Sequence, residues 1–595
     1  MASTDIGSAA MTQKPMTKRQ KLDILWSQLD TEFQTFKPLY RDLNDYILPT
    51  RGRFFLSDVN RGDRRNLKIL DSTATTAART LRAGMVSGVT SPARQWFKLE
   101  TPDALLNRMP RVRQWLYDVG EVMNKAFTRS NYYQTKPIVY GDLGTFGTAC
   151  YSFEKDYNNA FHTHPFPIGS YRIAKDSKGR INVFAREYRM TVAQLIEEFG
   201  EIDPKTGRPN WKNFSEHVRN QYEQSMYQTW IDVRHVIKPN EDFNPNSALS
   251  EHKKFVSCYY ETGSSSVQTG AYLNPNDDVY LSVKGFDRFP ILAPRWEVAG
   301  EDVYGTECPG ITCIGDVKQL QWGEKRIAQA IDHTIKPPMK GPASLRNQKT
   351  SILPGDMTYS DERDGQKGFT PVYQIDPRIN EMEMKQDQVR GRIKTTYYED
   401  LMLLMANSDR RQITAREIEE RHEEKLLALG PVMEQVNQDD LDPSIDLAFH
   451  YLLELGKIPP APEELQGMEL SVVYISMMAQ AQKMIGIGTT ERFAQFAGQI
   501  VMPFPQAAKK ININKLVEHY GDQMSLMPGI IRSDEEVAEM EQAEAQAIQR
   551  QQSMEAIATG AKAARDLSGA DMGSDNALKR IIDNAQNSQA GGIPV

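Results

Sequence analysis

Cysteine is scarce in this sequence of 595 residues, which contains only Cys150, Cys258, Cys308 and Cys313 and no Cys-x-x-Cys pair. Disulfides therefore cannot organise a chain of this size, and we expect four reduced, buried thiols. Long apolar runs are also lacking, because no stretch approaches the roughly 20 residues of a membrane helix. The N-terminal residues include no apolar segment of the signal-peptide type. These absences predict a soluble chain that is neither secreted nor bound to a membrane.

Positive charge is in deficit, with 71 Lys and Arg against 78 Asp and Glu and a formal net charge of -7. A protein that covers nucleic-acid phosphates needs a Lys or Arg for each contact, so this class is disfavoured. The remaining composition, 40% hydrophobic and 25% charged, is that of an ordinary globular chain. The length allows roughly four domain-sized units.

Phosphate-binding motifs are missing. The glycines of "GDLGTFGTA" fit neither the dinucleotide fingerprint nor a Walker A loop, and Gly456-Lys457 is followed by Ile458 instead of Ser or Thr. An ATP-driven motor is therefore disfavoured, and we interpret these glycines as turn residues.

Metal and nucleophile motifs are missing as well. "RHEEKLLA" has Leu426 where a zinc-protease helix needs its second His, and no Cys or carboxylate cluster accompanies His162 and His164. No Gly-x-Ser-x-Gly elbow is present. We therefore predict no enzymatic activity, no cofactor and no metal site.

What the sequence does contain is a set of clear helical patterns near its start. Apolar residues recur every three or four positions between 22 and 48, where Pro49 ends the helix and Pro38 kinks or splits it. A helix over 72–90 is rich in Ala, Thr, Gly and Ser, with Asp71 and Ser72 as N-cap candidates. Pro92 stops it, and the large Trp96 and Phe97 follow.

The pattern changes to short alternating runs between about 148 and 300, which predicts a β-rich section. One short helix, "TVAQLIEEFG", interrupts it after the cap Thr191.

Two long helices then flank an irregular insert. The first runs from Pro309 to the Pro337-Pro338 pair, and the second begins at Asp376 and Pro377. Residues 337–376 hold five Pro and four Gly with little periodicity. This arrangement predicts a helix, a loop-and-strand tip and a returning helix.

Two further helical regions complete the chain. Thr414 and Glu417 form a capping box for a helix that Gly430 and Pro431 close, after the polar loop "MANSDRRQ". Beyond Pro528 the sequence is rich in Ala, Gln and Glu with sparse apolar positions. Such a helix is marginal alone, and copies of the chain could supply the missing face.

Seven blocks in order resemble the head-to-tail connector (portal) family of short-tailed, podovirus-type bacteriophages. They are "LDSTATTAARTLRAGMVSGVTSPARQWFKLE", "FGTACYSFEKD", "FPIGSYRIAKDSKGR", "FDRFPILAPRWE" with "VYGTECPG" and "IKPPMKGP", "DRRQITAREIEERHEEKLLALGPV", "AQAQKMIGIGTTERFAQFAGQ" and "IIRSDEEVAEM". Together they span roughly residues 20 to 545.

The resemblance implies an α+β, mainly helical portal fold that assembles as a ring, usually of twelve copies. Its implied parts are a wing at 21–308, stem helices at 309–336 and 377–403 around a clip at 337–376, and a tunnel loop at 404–413. A long wing helix with a following helix occupies 414–458, a crown 459–530, and a C-terminal helical barrel or tail 531–595. Residues 1–20 are expected to be disordered.

The resemblance also implies function and partners. The ring occupies one capsid vertex of the virion, docks the terminase, conducts double-stranded DNA during packaging and ejection, and attaches the tail. The implied partners are other copies of the chain, terminase, major capsid protein, scaffold and tail adaptors, with assembly in the host cytoplasm. The alternative is another virion structural protein, such as a tail adaptor or an internal scaffold.

The candidate site residues follow from the same resemblance. Those of the tunnel loop are Asn407, Ser408, Asp409, Arg410 and Arg411, and those of the clip contact with terminase or tail are Arg346, Lys349, Arg363 and Lys367. Arg410 and Arg411 either face DNA or pair with Asp409 or a neighbouring subunit.

Charge suggests how DNA would pass through such a ring. Twelve copies at -7 carry a summed formal charge of -84, which favours a channel lined mainly by acidic or neutral groups. Because duplex DNA carries a charge every ~1.7 Å, a strongly basic channel would hold it. The helix at 72–90 is interpreted as a packing device, with Trp96 and Phe97 anchoring its exit.

Overall fold

The computed structural model describes residues 16–58, 64–103, 105–201, 209–247, 249–263, 279–340, 370–371, 378–403, 429–465, 470–476 and 542–554, with a few single positions. The chain divides into two units, Met1–Asn512 and Ile513–Val595. Within the described ranges, no helix has the length and apolar character needed to cross a bilayer. Helices and sheets are both present, which confirms the α+β class.

Four helices open the first unit: α1 (Lys18–Tyr46), α2 (Thr73–Val89), α3 (Pro110–Arg129) and α4 (Tyr132–Phe146). Thr17 and Gln20 form a capping box at the start of α1. This helix continues through Pro38, so the expected split does not occur. At α2 the Asp71 carboxylate accepts from the Thr73 amide at 2.7 Å, whereas Ser72 makes no side-chain cap bond.

The composition of α2 is explained by close packing. Its Ala74, Ala77, Ala78, Gly84 and Gly88 are all buried. After the helix, Trp96 and Phe97 lie in the core with ring centres 4.8 Å apart, and the Trp96 indole donates to the Tyr133 hydroxyl. The interpretation of this segment as a packing device with an aromatic anchor is confirmed.

The predicted β-rich section is confirmed. Its strands are β2 (Cys150–Asp156), β3 (Ala160–Phe166), β4 (Tyr171–Lys175), β5 (Ile181–Thr191), β6 (Trp230–Pro239), β7 (Phe255–Gly263), β8 (Ser282–Phe286) and β9 (Ile291–Leu292). Strands β4 to β8 form one antiparallel sheet in sequence order, and β3-β2-β9 form a second. The earlier strand β1 (Phe97–Glu100) pairs with the later β12 (Ser471–Tyr474).

Two short helices lie in the chain between strands β5 and β6 of the large sheet. Thr191 is the N-cap of helix α5 (Val192–Phe199), as predicted, and it forms a capping box with Gln194. Helix α6 (Glu216–Glu223) is capped by the Ser215 hydroxyl. Their apolar faces and the β5–β6 end share a small hydrophobic cluster.

The two long helices are α7 (Pro309–Ile335) and α8 (Ile379–Thr396). The second begins two residues after Pro377 and breaks at Tyr397 and Tyr398, where Tyr398 has φ +53°. A further helical segment occupies 399–403. The expectation of one unbroken helix over 377–403 is therefore wrong, because Tyr398 has a left-handed backbone conformation that a right-handed α-helix does not contain.

Residues 429–436 are helical and continue through a π-helical turn, Asn437–Leu441, into α9 (Asp442–Glu454). Gly430 and Pro431 thus lie within a helical segment, and the prediction that they close a helix is wrong. The capping box at Thr414 lies outside the described residues. In the second unit, residues 542–554 form an exposed helix.

All four cysteines are free and buried, as expected. Burial raises the pKa of Cys308 and of Cys313 to about 12. Their thiols are therefore protonated at neutral pH and act as small apolar side chains.

Candidate functional site: an anchored helical hairpin

Helices α7 and α8 pack against each other as an antiparallel hairpin. Arg392 pairs with Asp316 at 2.7 Å near the base, and Gln386 lies against Gly323 farther along. A β-carbon on Gly323 would stand 1.7 Å from the Gln386 amide nitrogen, so the missing side chain lets the two helices approach closely. Apolar residues of both helices, Val317, Leu320, Val389 and Ile393 among them, are buried.

One arginine ties the hairpin to the rest of the chain. Arg390 of α8 contacts Glu324 of α7 at 2.5 Å, Asp387 at 2.7 Å and Asp71, just before α2, at 2.8 Å. Bonds to Asp71 and Asp387 raise the pKa of Arg390. Although burial favours the neutral acid, bonds from Thr73 and Arg390 hold the pKa of Asp71 below its ordinary value. Charged hydrogen bonds of this kind are the stronger class.

A glutamine of α7 reinforces the same junction. The Gln321 carbonyl oxygen accepts from the backbone amides of Leu70 and Asp71 at 2.6 and 2.8 Å, and its amide nitrogen donates to the Asp71 carbonyl at 2.8 Å. Gln321 is buried. The start of α2 is therefore fixed by both helices of the hairpin.

The far end of the hairpin narrows to a two-stranded neck. Strand β10 (Met339–Lys340) pairs antiparallel with β11 (Thr370–Pro371). The 29 residues between them begin and end at this neck, as expected of a tip that joins two helices. The candidate contact residues Arg346, Lys349, Arg363 and Lys367 lie in that segment, outside the described residues.

The hairpin also exposes large apolar side chains. Trp322 and Ile335 of α7 are 62% and 69% exposed, and Met384 of α8 is 66% exposed. The Arg326 guanidinium lies 4.8 Å from the centre of the Trp322 ring. Large apolar side chains that stay exposed on two long helices are candidates for burial by a partner.

The base of the hairpin leads into the predicted tunnel loop. After the break at Tyr398, buried Leu401 and Met402 pack the 399–403 segment against α2. The candidates Asn407, Ser408, Asp409, Arg410 and Arg411 follow and lie outside the described residues. The first of these candidates, Asn407, follows the buried Met402 by five positions in the sequence.

A buried ionic network was not foreseen from the sequence. The Lys136 ammonium of α4 lies 2.5 Å from the Asp440 carboxylate, which also accepts from the Tyr151 hydroxyl at 2.5 Å. Both charged side chains are fully buried, and the rings of Tyr132, Tyr140 and Tyr151 have their centres within 6 Å of the ammonium. Burial lowers the pKa of Lys136, and Asp440 opposes that effect.

The acceptor belongs to the π-helical turn, which also places Asp439 against Arg295 at 2.9 Å. The π-helical turn therefore forms two ion pairs: Asp440 pairs with Lys136 of α4, and Asp439 pairs with Arg295. One feature of the sequence could have indicated the buried lysine. In "YYQTKPIVY", Lys136 is three or four positions from each of Tyr132, Tyr133 and Tyr140, which is helical spacing.

Comparison with known proteins agrees with this architecture. The family model of the bacteriophage head to tail connecting protein matches residues 19–531. The portal protein of Salmonella phage epsilon15 is 39% identical over 569 residues, which cover 96% of this chain and 99% of that protein. The probable portal protein of Bordetella phage BPP-1 is 36% identical over 565 residues, 95% of this chain and 98% of the relative. The chain therefore belongs to the bacteriophage head to tail connecting protein family.

Proposed function

We propose that this chain forms a ring of twelve copies at one vertex of a phage capsid. Its function is that of a portal, the head-to-tail connector of a tailed bacteriophage, and this role is structural and not enzymatic. The observation that carries the proposal is the hairpin of α7 and α8, which is anchored at its base, joined at a β-neck and bears several exposed large apolar side chains.

The exposed apolar residues support self-association. Exposed apolar side chains such as Trp322, Ile331 and Ile335 of α7 are unfavourable in water, and neighbouring hairpins around a ring would bury them. The helices would then stand side by side around a channel. With a net charge of -7 per copy, such a channel would guide DNA without the many phosphate contacts that resist sliding.

The segments divide as follows in this proposal. The helices α7 and α8 form the stem, residues 341–369 the outer part of the clip, residues 21–308 the wing, 459–530 the crown, and 531–595 a C-terminal barrel or tail. The clip meets terminase and later the tail adaptors, while the wing faces major capsid protein and scaffold. The particle assembles in the host cytoplasm and remains at the portal vertex of the virion.

Replacing residues 341–369 by a short Gly-Ser linker tests the clip assignment. Because β10 and β11 bring the two ends together, the linker spans a short distance and should preserve the hairpin. We expect the variant to form the same oligomer as the parent and to lose terminase binding in a pull-down assay. Unchanged binding would contradict the assignment and favour a tail adaptor or internal scaffold.

The tunnel loop is proposed to contact the passing DNA through Arg410 and Arg411. A ring of loop cations would steady the duplex or retain it when packaging ends. The double variant Arg410→Ala with Arg411→Ala should assemble normally and retain less DNA. Failure of assembly would show instead that the two arginines pair with Asp409 or with a neighbouring subunit.

A further inference from the structure

An exposed phenylalanine stands at the centre of a basic patch on α1. Phe55 is 57% exposed, and its ring centre lies 5.0 Å from Lys37 Nζ and 5.6 Å from the Arg41 guanidinium. The two cations are four positions apart on α1, so they share one side of that helix. Neither of them forms an ion pair within the described ranges. We call these three residues the Phe55 patch.

The carboxylates near the Phe55 patch already have partners. Three ion pairs, at 2.6, 2.7 and 2.5 Å, engage them with other cations: Asp42 with Lys318, Asp45 with Lys68, and Asp58 with Arg65. The charges of Lys37 and Arg41 are therefore not neutralised within the copy that carries them. This surplus of positive charge occurs in a chain whose formal net charge is -7.

A loop of the opposite charge, residues 297–307, follows strand β9. Four of its carboxylates are exposed and form no ion pair in the part of the chain that the structure describes: Glu297, Glu301, Asp302 and Glu307. Glu297 and Glu307 face each other across an antiparallel bridge, and like charges in that arrangement are unfavourable. This loop, which we call the acidic loop, would be stabilised by positive charge from a partner.

The acidic loop is attached to α1 as well. Its Tyr304 is fully buried, and the tyrosine ring centre lies 5.2 Å from that of Phe36. Burial raises the pKa of Glu32, one turn before Phe36, and the charge of Asp302 raises it further against the effect of Lys175. The acidic loop therefore lies on the side of α1 that carries Glu32 and Phe36.

That side is opposite to the Phe55 patch. Nine positions separate Glu32 from Arg41, which is about two and a half turns of a helix with 3.6 residues per turn. Lys37 is about 140° from Glu32 around the helix axis by the same geometry. One copy thus presents a basic surface on one side of α1 and an acidic surface on the other. Two different surfaces that fit each other form a heterologous interface, the type that closes into rings.

We propose that the acidic loop of one copy binds the Phe55 patch of the next copy around the ring. This inference rests on the proposed portal function and identifies two surfaces of the wing that meet. The loop carboxylates pair with Lys37 and Arg41, and the contact covers the exposed ring of Phe55. Aromatic side chains are enriched in protein interfaces, and complementary charges fix the register of the partners. A nucleic acid would neutralise the patch alone, whereas a second copy neutralises both surfaces.

Charge reversal in the full-length chain tests the proposal. The first variant, Lys37→Glu with Arg41→Glu, has two acidic surfaces, and the second, Glu301→Lys with Asp302→Lys, has two basic ones. Arg41, Glu301 and Asp302 are exposed and Lys37 is half-buried, so both variants should fold, as circular dichroism can verify. Since like charges then meet at every contact, each variant alone should need about tenfold more protein to assemble. Sedimentation velocity over a concentration series measures this change.

Co-expression of the two variants, one of them tagged, restores opposite charges at every contact if the variants alternate around the ring. We expect purification by the tag to recover both variants in particles of the parent size. The control is Lys125→Glu with Arg219→Glu, which changes the net charge as the first variant does, at two exposed residues of α3 and α6. It should assemble at the same concentration as the parent.

The proposal is overturned by parent-like assembly of the charge-reversed variants alone, by the absence of mixed particles from two folded variants, or by an equal loss of assembly in the control. Normal assembly of the first variant with a loss of DNA binding would also overturn it and assign the patch to nucleic acid. A parent chain that forms no ring would contradict the proposed function itself, so the two failures are distinguishable.

Discussion

Gly84 of α2 lies so close to Met402 that a β-carbon on the glycine would stand 2.6 Å from the methionine β-carbon and 2.7 Å from its α-carbon. Both partners are buried. The small side chains of α2 therefore leave room for the backbone of the 399–403 segment. This contact joins α2 to the segment that follows the hairpin.

Gly84→Ala should destabilise the chain, because the Met402 backbone has to move to admit the methyl group. Overpacking costs about 1–3 kcal/mol, which exceeds the gain of about 1 kcal/mol from replacing a helical glycine. Thermal unfolding followed by calorimetry measures the effect. Gly391→Ala on α8 is the control, since nothing lies within 4 Å of its added methyl. That variant should be as stable as the parent or more so, and equal stabilisation of both variants would contradict the close contact.

Removing Lys136 should be far more costly than removing an exposed lysine. Lys136→Met leaves the buried Asp440 carboxylate without its cation, a loss of about 3–5 kcal/mol. Lys125→Met, whose partner Glu121 is on the surface, should change the free energy of unfolding by less than about 1 kcal/mol. Denaturant midpoints compare the two. The double variant Lys136→Met with Asp440→Asn should recover part of the loss, and similar losses in both single variants would argue against an ionic core.

Stability should fall on acidification because of His235. This imidazole is fully buried, and burial together with the Arg186 charge holds its pKa well below 6.5. Below about pH 6.5 the unfolded chain therefore binds a proton that the folded chain does not, and stability declines with falling pH by up to about 1.4 kcal/mol per unit. His235→Gln, which can keep a bond to the Ser257 hydroxyl, should show a shallower decline between pH 6.5 and 5. Parallel curves for parent and variant would exclude this histidine as a source.

Trp322→Ser should weaken assembly without unfolding the subunit. The indole is largely exposed in one copy, so its loss costs little internal packing, whereas burial between copies would make it a major contact. Tyr157→Ser is a suitable control, because this tyrosine is 80% exposed and lies in the β2–β3 turn. Sedimentation velocity at fixed concentration should show smaller species for the tryptophan variant alone. Equal oligomer size in both variants would remove this residue from the interface.

Local features of secondary structure were predictable from the sequence. The cap at Thr191, the first-turn Pro309 and the alternating β-rich section depend on neighbours within a few residues, and all appear where expected. The small residues of α2 likewise predicted close packing.

Contacts across long separations were not predictable. Arg390 meets Asp71 across 319 positions, and Lys136 meets Asp440 across 304, so no spacing rule connects them. The break at Tyr398 and the π-helical turn also escaped prediction. Tertiary contacts of Met402, Asp439 and Asp440 accompany these two departures from regular helix and carry no local signal. The clip and tunnel-loop residues remain predictions from resemblance.

The central claim is that identical copies close around a channel, and an averaged top view by electron microscopy of the purified full-length chain tests it most directly. The account predicts annular particles of twelve copies with an open centre. Particles with a filled centre, or compact monomers at the same protein concentration, would contradict it.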